Sequence, residues 1–401
     1  MAKVELTFNQ IRSNDEYLRR TYFKNIDTYA GDKKRLRRYV QDGIQLMERD
    51  QIMSQGDYTV GDDGRTVTIS AIKRGISLDT SINTDFTQKT ILSIVNPFGY
   101  GGEVGGEGSV GIFKTLNGGI YYKDRYNNKI ELSKRLENPI ELNKNLQIEE
   151  SCITFHPNNY GRHYFSLYAG DRRTFVSGEN KDEEMRNHTG FSHKLSLTHK
   201  YYYFKEWMSR KTGLYGLGLW GRIHNEVAGG PFSTKFIKTE SFTHIYYPLY
   251  RGFNLECMLA FGGLYNMARG MSPMIDRFYN GVSYHFKGFE YKGLATTKSK
   301  KPSLGGDFYH NTTLYLTKDI DDYPGQAFLF YAFGNSVLNY DNFGSCMREL
   351  LRPDNYRHTV GFGFRFETGP ALVDIYVGHP LKKLQSDQSN RMGINFNLKF
   401  F

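Results

Sequence analysis

The sequence predicts an all-β transmembrane barrel of about sixteen antiparallel strands, preceded by one small α+β domain. Three observations carry that expectation. From residue 75 onward, apolar and polar residues alternate in short runs bounded by turn residues, the period of two that belongs to strands with unlike faces. The chain is rich in rings, with 30 Tyr and 29 Phe against two Trp in 401 residues, as interfacial aromatic girdles require. Mean hydropathy is only -0.56, and no window approaches the roughly 18 unbroken apolar residues of a spanning helix. Barrel strands need only about 9 to 11 alternating residues each, so a hydrophilic average is compatible with them.

Residues 1–74 differ from the rest. Val4 to Phe8 reads as a strand, and Ser13 or Asn14 caps a helix carrying Leu18 and Tyr22 at i, i+4 spacing. After Gly31, a second helix from Lys33 places Leu36, Val40, Ile44 and Met47 on one stripe with basic residues opposite. Two strands, Tyr58 to Val60 and Arg65 to Ile72, are joined by the turn Gly61-Asp62-Asp63-Gly64. The order strand, helix, helix, strand, strand suits one small domain of about 70 residues with a modest core.

The barrel, residues 75–401, opens with Ile76 to Ile82, Thr90 to Asn96 and Gly105 to Phe113. Later strands alternate more clearly: His163, Phe165, Leu167 and Ala169 face away from Tyr164, Ser166, Tyr168 and Gly170, and Phe253 to Phe261 and Val360 to Phe366 behave alike. At roughly twenty residues per strand plus turn, the remainder of the chain holds about sixteen. The last strand sets Ile394, Phe396, Leu398 and Phe400 on one face and Gly393, Asn395, Asn397 and Lys399 on the other. A long inward loop over about 264–305 interrupts the rhythm, far beyond the usual length of about 12 to 15 residues. Its Asp276-Arg277-Phe278-Tyr279 and Phe286-Lys287-Gly288-Phe289 look built to pack an aromatic tip with a basic side chain.

Other classes are disfavoured on the same grounds. The net charge of +10 is scattered except at Lys33, Lys34, Arg35, Arg37 and Arg38, so no nucleic-acid partner is expected. The run Gly99 to Gly108 lacks the Lys-Ser/Thr and helix of a phosphate cradle and reads as strand glycines. Cys152, Cys257 and Cys346 have neither metal nor disulfide spacing, and His193 and His199, sharing parity, read as a lumen-facing pair. No catalytic constellation, metal or cofactor is expected. Met1 to Gln10 has no apolar h-region, so a bacterial secretory route is not expected, and targeting by internal signals is.

These residues resemble the outer-membrane-protein-85 superfamily of barrel insertases and secretion pores, across nearly the whole chain. Residues 1–74 are similar to a single polypeptide-transport-associated (POTRA) domain. Asn96-Pro97-Phe98-Gly99-Tyr100-Gly101 is similar to the family's early Asn-x-Phe-Gly-x-Gly turn. Asp276, Arg277, Phe278, Phe286, Lys287, Gly288 and Phe289 resemble its loop-six motif, usually Val/Ile-Arg-Gly-Phe, and Gly305-Gly306-Asp307 then opens the next strand. Gly361 to Arg365, Gly369-Pro370, Asp374 and Pro380 to Lys383 continue the likeness. Lys287 replaces the usual Arg, and the positions where bacterial members carry its acidic partner are Tyr315 and Ala332, so packing by Phe286 and Phe289 is expected to hold the loop instead.

One such domain and no secretory signal point to the mitochondrial branch, the barrel subunits of the sorting and assembly machinery. Arg391, Gly393, Phe396 and Leu398 fit that system's β-signal, polar-x-Gly-x-x-hydrophobic-x-hydrophobic. The resemblance implies a non-enzymatic insertase in the outer membrane of a mitochondrion or related organelle, with the POTRA-like domain in the intermembrane space. Its partners would be β-barrel precursor proteins, the outer-membrane bilayer and accessory assembly subunits. A lateral gate between a first strand carrying Ile76, Leu78 and Ile82 and the last strand would template the precursor. The alternative in the same superfamily is a passive protein-secretion or metabolite pore.

Overall fold

The computed structural model describes residues 3–9, 11, 13–49, 52–53, 55–72, 76–82, 87–95, 102–111, 116–137, 146–158, 161–176, 189–208, 215–231, 234–268, 271–280, 286–290, 293–297, 305–320, 325–338, 343–368, 371–389 and 391–398. The amino-terminal unit runs β1 (Glu5–Asn9), α1 (Asp15–Tyr22), a 3-10 turn (Ile26–Tyr29), α2 (Lys33–Arg49), β2 (Gln55–Val60) and β3 (Thr66–Ile72). Its sheet has the order β1-β3-β2, with β1 parallel and β2 antiparallel to β3. Asn14, rather than Ser13, caps α1: its Oδ1 accepts from the amides of Glu16 at 2.9 Å and Tyr17 at 3.2 Å. The apolar stripe of α2, Leu36, Val40, Ile44 and Met47, packs with Leu18, Val67 and Ile69 into one buried core. Arg125, in the turn between two later strands, donates to the Tyr17 hydroxyl of α1.

The rest is one antiparallel sheet. Its first half comprises β4 (Ile76–Ile82), β5 (Thr87–Val95), β6 (Glu103–Gly111), β7 (Leu116–Lys123), β8 (Lys129–Glu137), β9 (Leu146–His156), β10 (His163–Val176) and β11 (Gly190–Met208). Its second comprises β12 (Tyr215–Ala228), β13 (Phe236–Pro248), β14 (Phe253–Asn266), β15 (Phe308–Asp319), β16 (Gly325–Val337), β17 (Arg357–Thr368), β18 (Ala371–Lys382) and β19 (Met392–Leu398). Helix α3 (Phe343–Leu350) lies between β16 and β17. The sixteen strands pair in chain order from β4 at one edge to β19 at the other, and no β4–β19 ladder is among those formed by the described residues.

Register creates two faces. Leu255, Leu316, Leu329, Phe362, Val377 and Met392 lie opposite one another across six successive strands, and all are exposed, Leu329 at 58% and Met392 at 68%. An uncovered apolar row this long is a lipid-facing band. One residue along, Glu256, Tyr315, Phe330, Gly361 and Gly378 form the opposing row, where Glu256, Tyr315 and Phe330 are buried. Glycine there makes room for rings: a Cβ on Gly361 would stand 2.5 Å from Phe330 Cε1.

Strand β14 pairs β13 as far as Asn266, opposite Phe236, and β15 begins at Phe308, so these strands flank the inward loop of about 264–305. One expectation changes. His193 and His199 share the exposed apolar face with Leu195 and Leu197, not the inner one. His193 Nδ1 is 2.6 Å from Asp171 Oδ1, and His199 Nε2 is 3.1 Å from His163 Nδ1. Asn96 to Gly101 and Gly369-Pro370 lie outside the described residues.

Candidate functional site: the inward loop and the terminal strands

The outgoing limb of the loop begins with Pro273, whose fixed φ leads into the 3-10 turn Met274–Asp276. Asp276 is buried among cations of the sheet. Its carboxylate accepts from Arg172 of β10 at 2.9 Å and Lys194 of β11 at 2.8 Å, while Lys238 of β13 reaches its backbone carbonyl at 2.7 Å. Glu150 and Glu226 balance those cations at 2.7 and 2.6 Å, so the charges are paired as burial demands. Arg277 turns back on the loop, donating through Nε to Ser272 Oγ at 2.8 Å and through Nη2 to Ser272 O at 2.7 Å. Phe278 exchanges two backbone bonds of 2.8 Å with Gly306 and sets its ring 4.9 Å from that of Tyr309.

At the tip, Lys287 is fully buried, and its Nζ donates to Asp374 Oδ2 of β18 at 2.9 Å. The other carboxylate oxygen takes Arg365 Nε of β17 at 3.0 Å. Arg365 continues to Glu256 of β14 at 3.3 Å, and Glu256 meets His244 of β13 at 3.0 Å. Three rings also surround the ammonium, Tyr376 at 4.9 Å, Phe328 at 5.7 Å and Tyr315 at 5.9 Å. The expectation from Tyr315 and Ala332 is therefore corrected: Tyr315 contributes a ring, and the acid comes from β18. Packing adds to this bond rather than replacing it, with Phe286 and Phe289 buried and stacked 5.2 Å apart. Gly288, at φ +92°, adopts a backbone that favours glycine, and a Cβ there would stand 3.0 Å from Thr359 Cγ2. Thr359 Oγ1 secures the same turn by donating to Lys287 O at 2.9 Å.

The sequence-selected terminal residues fall on the two edge strands. Ile76, Leu78 and Ile82 of β4 stand opposite Ile94, Leu92 and Gln88 of β5. Gly393, Phe396 and Leu398 of β19 stand opposite Tyr376, Val373 and Ala371 of β18. Arg391 precedes β19 and accepts from Gly378 N at 2.7 Å through its carbonyl. Residues 64–400 match the family model of the Omp85 superfamily domain. The chain belongs to the Omp85 superfamily. Members of that superfamily are outer-membrane β-barrels. The chain is similar in fold to BamA from Haemophilus ducreyi lacking POTRA domains 1-3, with a TM-score of 0.71, 13% identity, and 98% of this chain and 83% of that one covered. It also matches CdiB from Acinetobacter baumannii, at a TM-score of 0.46 and 14% identity over 99% of this chain and 74% of that one. CdiB from Escherichia coli gives 0.43 and 11% over 98% and 76%. No curated protein sequence matches.

In this Omp85 barrel the inward loop and the last strand meet at one side chain that sequence reasoning did not select. Tyr376 lies beneath Lys287, and its ring fills the space above Gly393, where a Cβ would be 2.3 Å from Cζ. The glycine of the terminal motif is thus a seat for an aromatic ring. Arg172, Lys194, Lys238 and Glu256 were equally hidden, because alternation assigns them to the inner face without indicating which loop residue they meet. The signal for Asp374 was its place among the motif-like residues of the last strands. The arrangement offers a loop held by charge and a strand edge with a ring-filled seat.

Proposed function

We propose that the chain inserts and folds β-barrel precursor proteins into the outer membrane of a mitochondrion or related organelle. The observation that carries this reading is the Lys287–Asp374 bond, which fixes the loop-six-like tip to β18, the strand next to the terminal edge. A loop held there braces β18 while β19 exchanges partners. Unpaired edge groups cost several kcal/mol each in lipid, so an incoming strand gains by pairing with a presented edge. Burial of the precursor's apolar face then drives insertion with no cofactor or covalent step. The amino-terminal unit acts as a POTRA-like receiver in the intermembrane space, and accessory subunits complete the machinery.

Reconstitution into liposomes tests this. Added barrel precursor should become protease-resistant and heat-modifiable in a manner that requires the chain. Ion conductance through the liposomes without any precursor becoming resistant would overturn insertion in favour of a passive pore.

A further inference from the structure

The returning limb of the inward loop makes a second attachment, distant in sequence from the tip, to the turn that leads into the last strand. Glu290 N donates to Gln388 O at 3.0 Å, and Gln388 N donates to Gly293 O at 2.9 Å. Asp387 reinforces the junction: its Oδ1 accepts from Ala295 N at 2.9 Å and its Oδ2 from Leu384 N at 2.7 Å. That carboxylate is buried, so it needs a cation. Arg357, at the start of β17, supplies it through Nε to Oδ2 at 3.0 Å and Nη2 to Oδ1 at 3.3 Å, with side-chain exposures of only 1% and 0% for the pair.

The guanidinium has donors to spare. Nη1 donates to Asn335 Oδ1 at 2.5 Å, at the end of β16, and Nη2 also reaches Ala295 O in the loop limb. A planar fork can hold several acceptors at fixed angles, which an ammonium cannot. Arg357 therefore joins the end of β16, the loop limb at 293–297 and the turn at 384–388 in one buried knot. From Asp387 the chain enters β19 within five residues, at Met392. A hairpin turn between two paired strands requires none of these bonds to loop six, so their presence ties two elements that the sheet alone would leave independent.

We infer that Arg357 and Asp387 are positioning residues that couple β19 to the inward loop, so that freeing the strand edge and freeing the loop limb are one event. The inference rests on the reading of β19 as the gate strand. Admission of a precursor strand would then loosen the loop, and a loosened loop would present the edge.

Hydrogen exchange of the purified full-length chain in detergent, without precursor, reads this directly. Asp387→Asn keeps the shape and one acceptor oxygen but removes the charge. Exchange in 293–297 and 392–398 should rise together, by about tenfold, while β14 at 253–266 stays unchanged. A rise confined to 293–297, or an equal rise in all three segments, overturns the coupling. If Asp387→Asn does not fold, Arg357→Lys is read by the same segments, and it must give a smaller rise of the same pattern. Precursor insertion by the unaltered chain is measured separately. Coupled exchange without insertion would leave the clamp standing and remove the insertase reading; uncoupled exchange with normal insertion would do the reverse.

Discussion

Lys287 is a compact charge in a site lined by one carboxylate and three rings, and it is there that substitution should discriminate most sharply. Lys287→Ala leaves the buried Asp374 with Arg365 alone, and breaking such a buried pair costs about 3–5 kcal/mol. Lys287→Arg keeps the charge, restores the common family residue and asks a full site to accept a larger head, a cost of about 1–3 kcal/mol. Gly288→Val is harsher in another way, since it forces a β-branched residue to φ +92° with its Cβ against Thr359. The order of damage in precursor insertion, and in the temperature at which the folded form is lost on unheated gels, should be Gly288→Val above Lys287→Arg. Equal insertion by Gly288→Val and the unaltered chain would disprove a tightly seated loop. The loop residues are legible in sequence because the loop far exceeds the usual length and its aromatic-basic-glycine-aromatic run resembles the family's loop-six motif. The partner is not, because Asp374 lies 87 residues away and only the sheet's register brings it near.

At the scale of single elements, the amino-terminal unit carries its own pH sensitivity. Val4 N donates to Asp27 Oδ1 at 2.7 Å, and Arg19 Nη2 binds both carboxylate oxygens at 2.8 and 3.0 Å. The Val4 amide first, and then Arg19 against the opposing effect of burial, hold the Asp27 carboxyl below the ordinary aspartate value of 3.8. A depressed folded value means that this stabilisation is complete above the unfolded value and is lost as pH falls through the folded one. Exchange of residues 3–9, corrected for intrinsic pH dependence, should therefore rise below about pH 4 in the unaltered chain. In Asp27→Asn it should be raised near neutral pH, converge with the unaltered chain in acid and lack that acid step; an identical acid step in Asp27→Asn would assign it to another group. Elements differ in how plainly they announce themselves. The strands with exposed rows, such as Val360, Phe362, Phe364 and Phe366, are legible because lipid and lumen demand opposite chemistry at successive residues. Early strand ends are blurred: β6 begins at Glu103, two residues before the expected start, because its glycines give no alternation to read. The inner or outer sense of His193 and His199 is also invisible locally, since a histidine fits either face.

For the whole molecule the decisive question is what the two edges do. Among the described residues β4 pairs with β5 and β19 pairs with β18, while a barrel wall in lipid must satisfy both edges at rest, at several kcal/mol for each backbone group left bare. The proposed gate requires β19 as the resting partner of β4, and on that reading any client strand must compete with it. Cysteines placed along both strands, with Cys152, Cys257 and Cys346 replaced to remove background thiols, should form a disulfide without precursor, since neighbouring strands bring Cα atoms within the required range of about 4.4–6.8 Å. A precursor whose terminal strand resembles Gly393 to Leu398 should lower that yield, and a cysteine on the precursor should capture β4 instead. Complete oxidation should leave the folded chain in the membrane but stop insertion. A passive pore behaves otherwise, conducting through its lumen with the seam locked and capturing no precursor. Full insertion by a completely cross-linked chain would eliminate the lateral gate, because no edge would then have been free to receive the client strand.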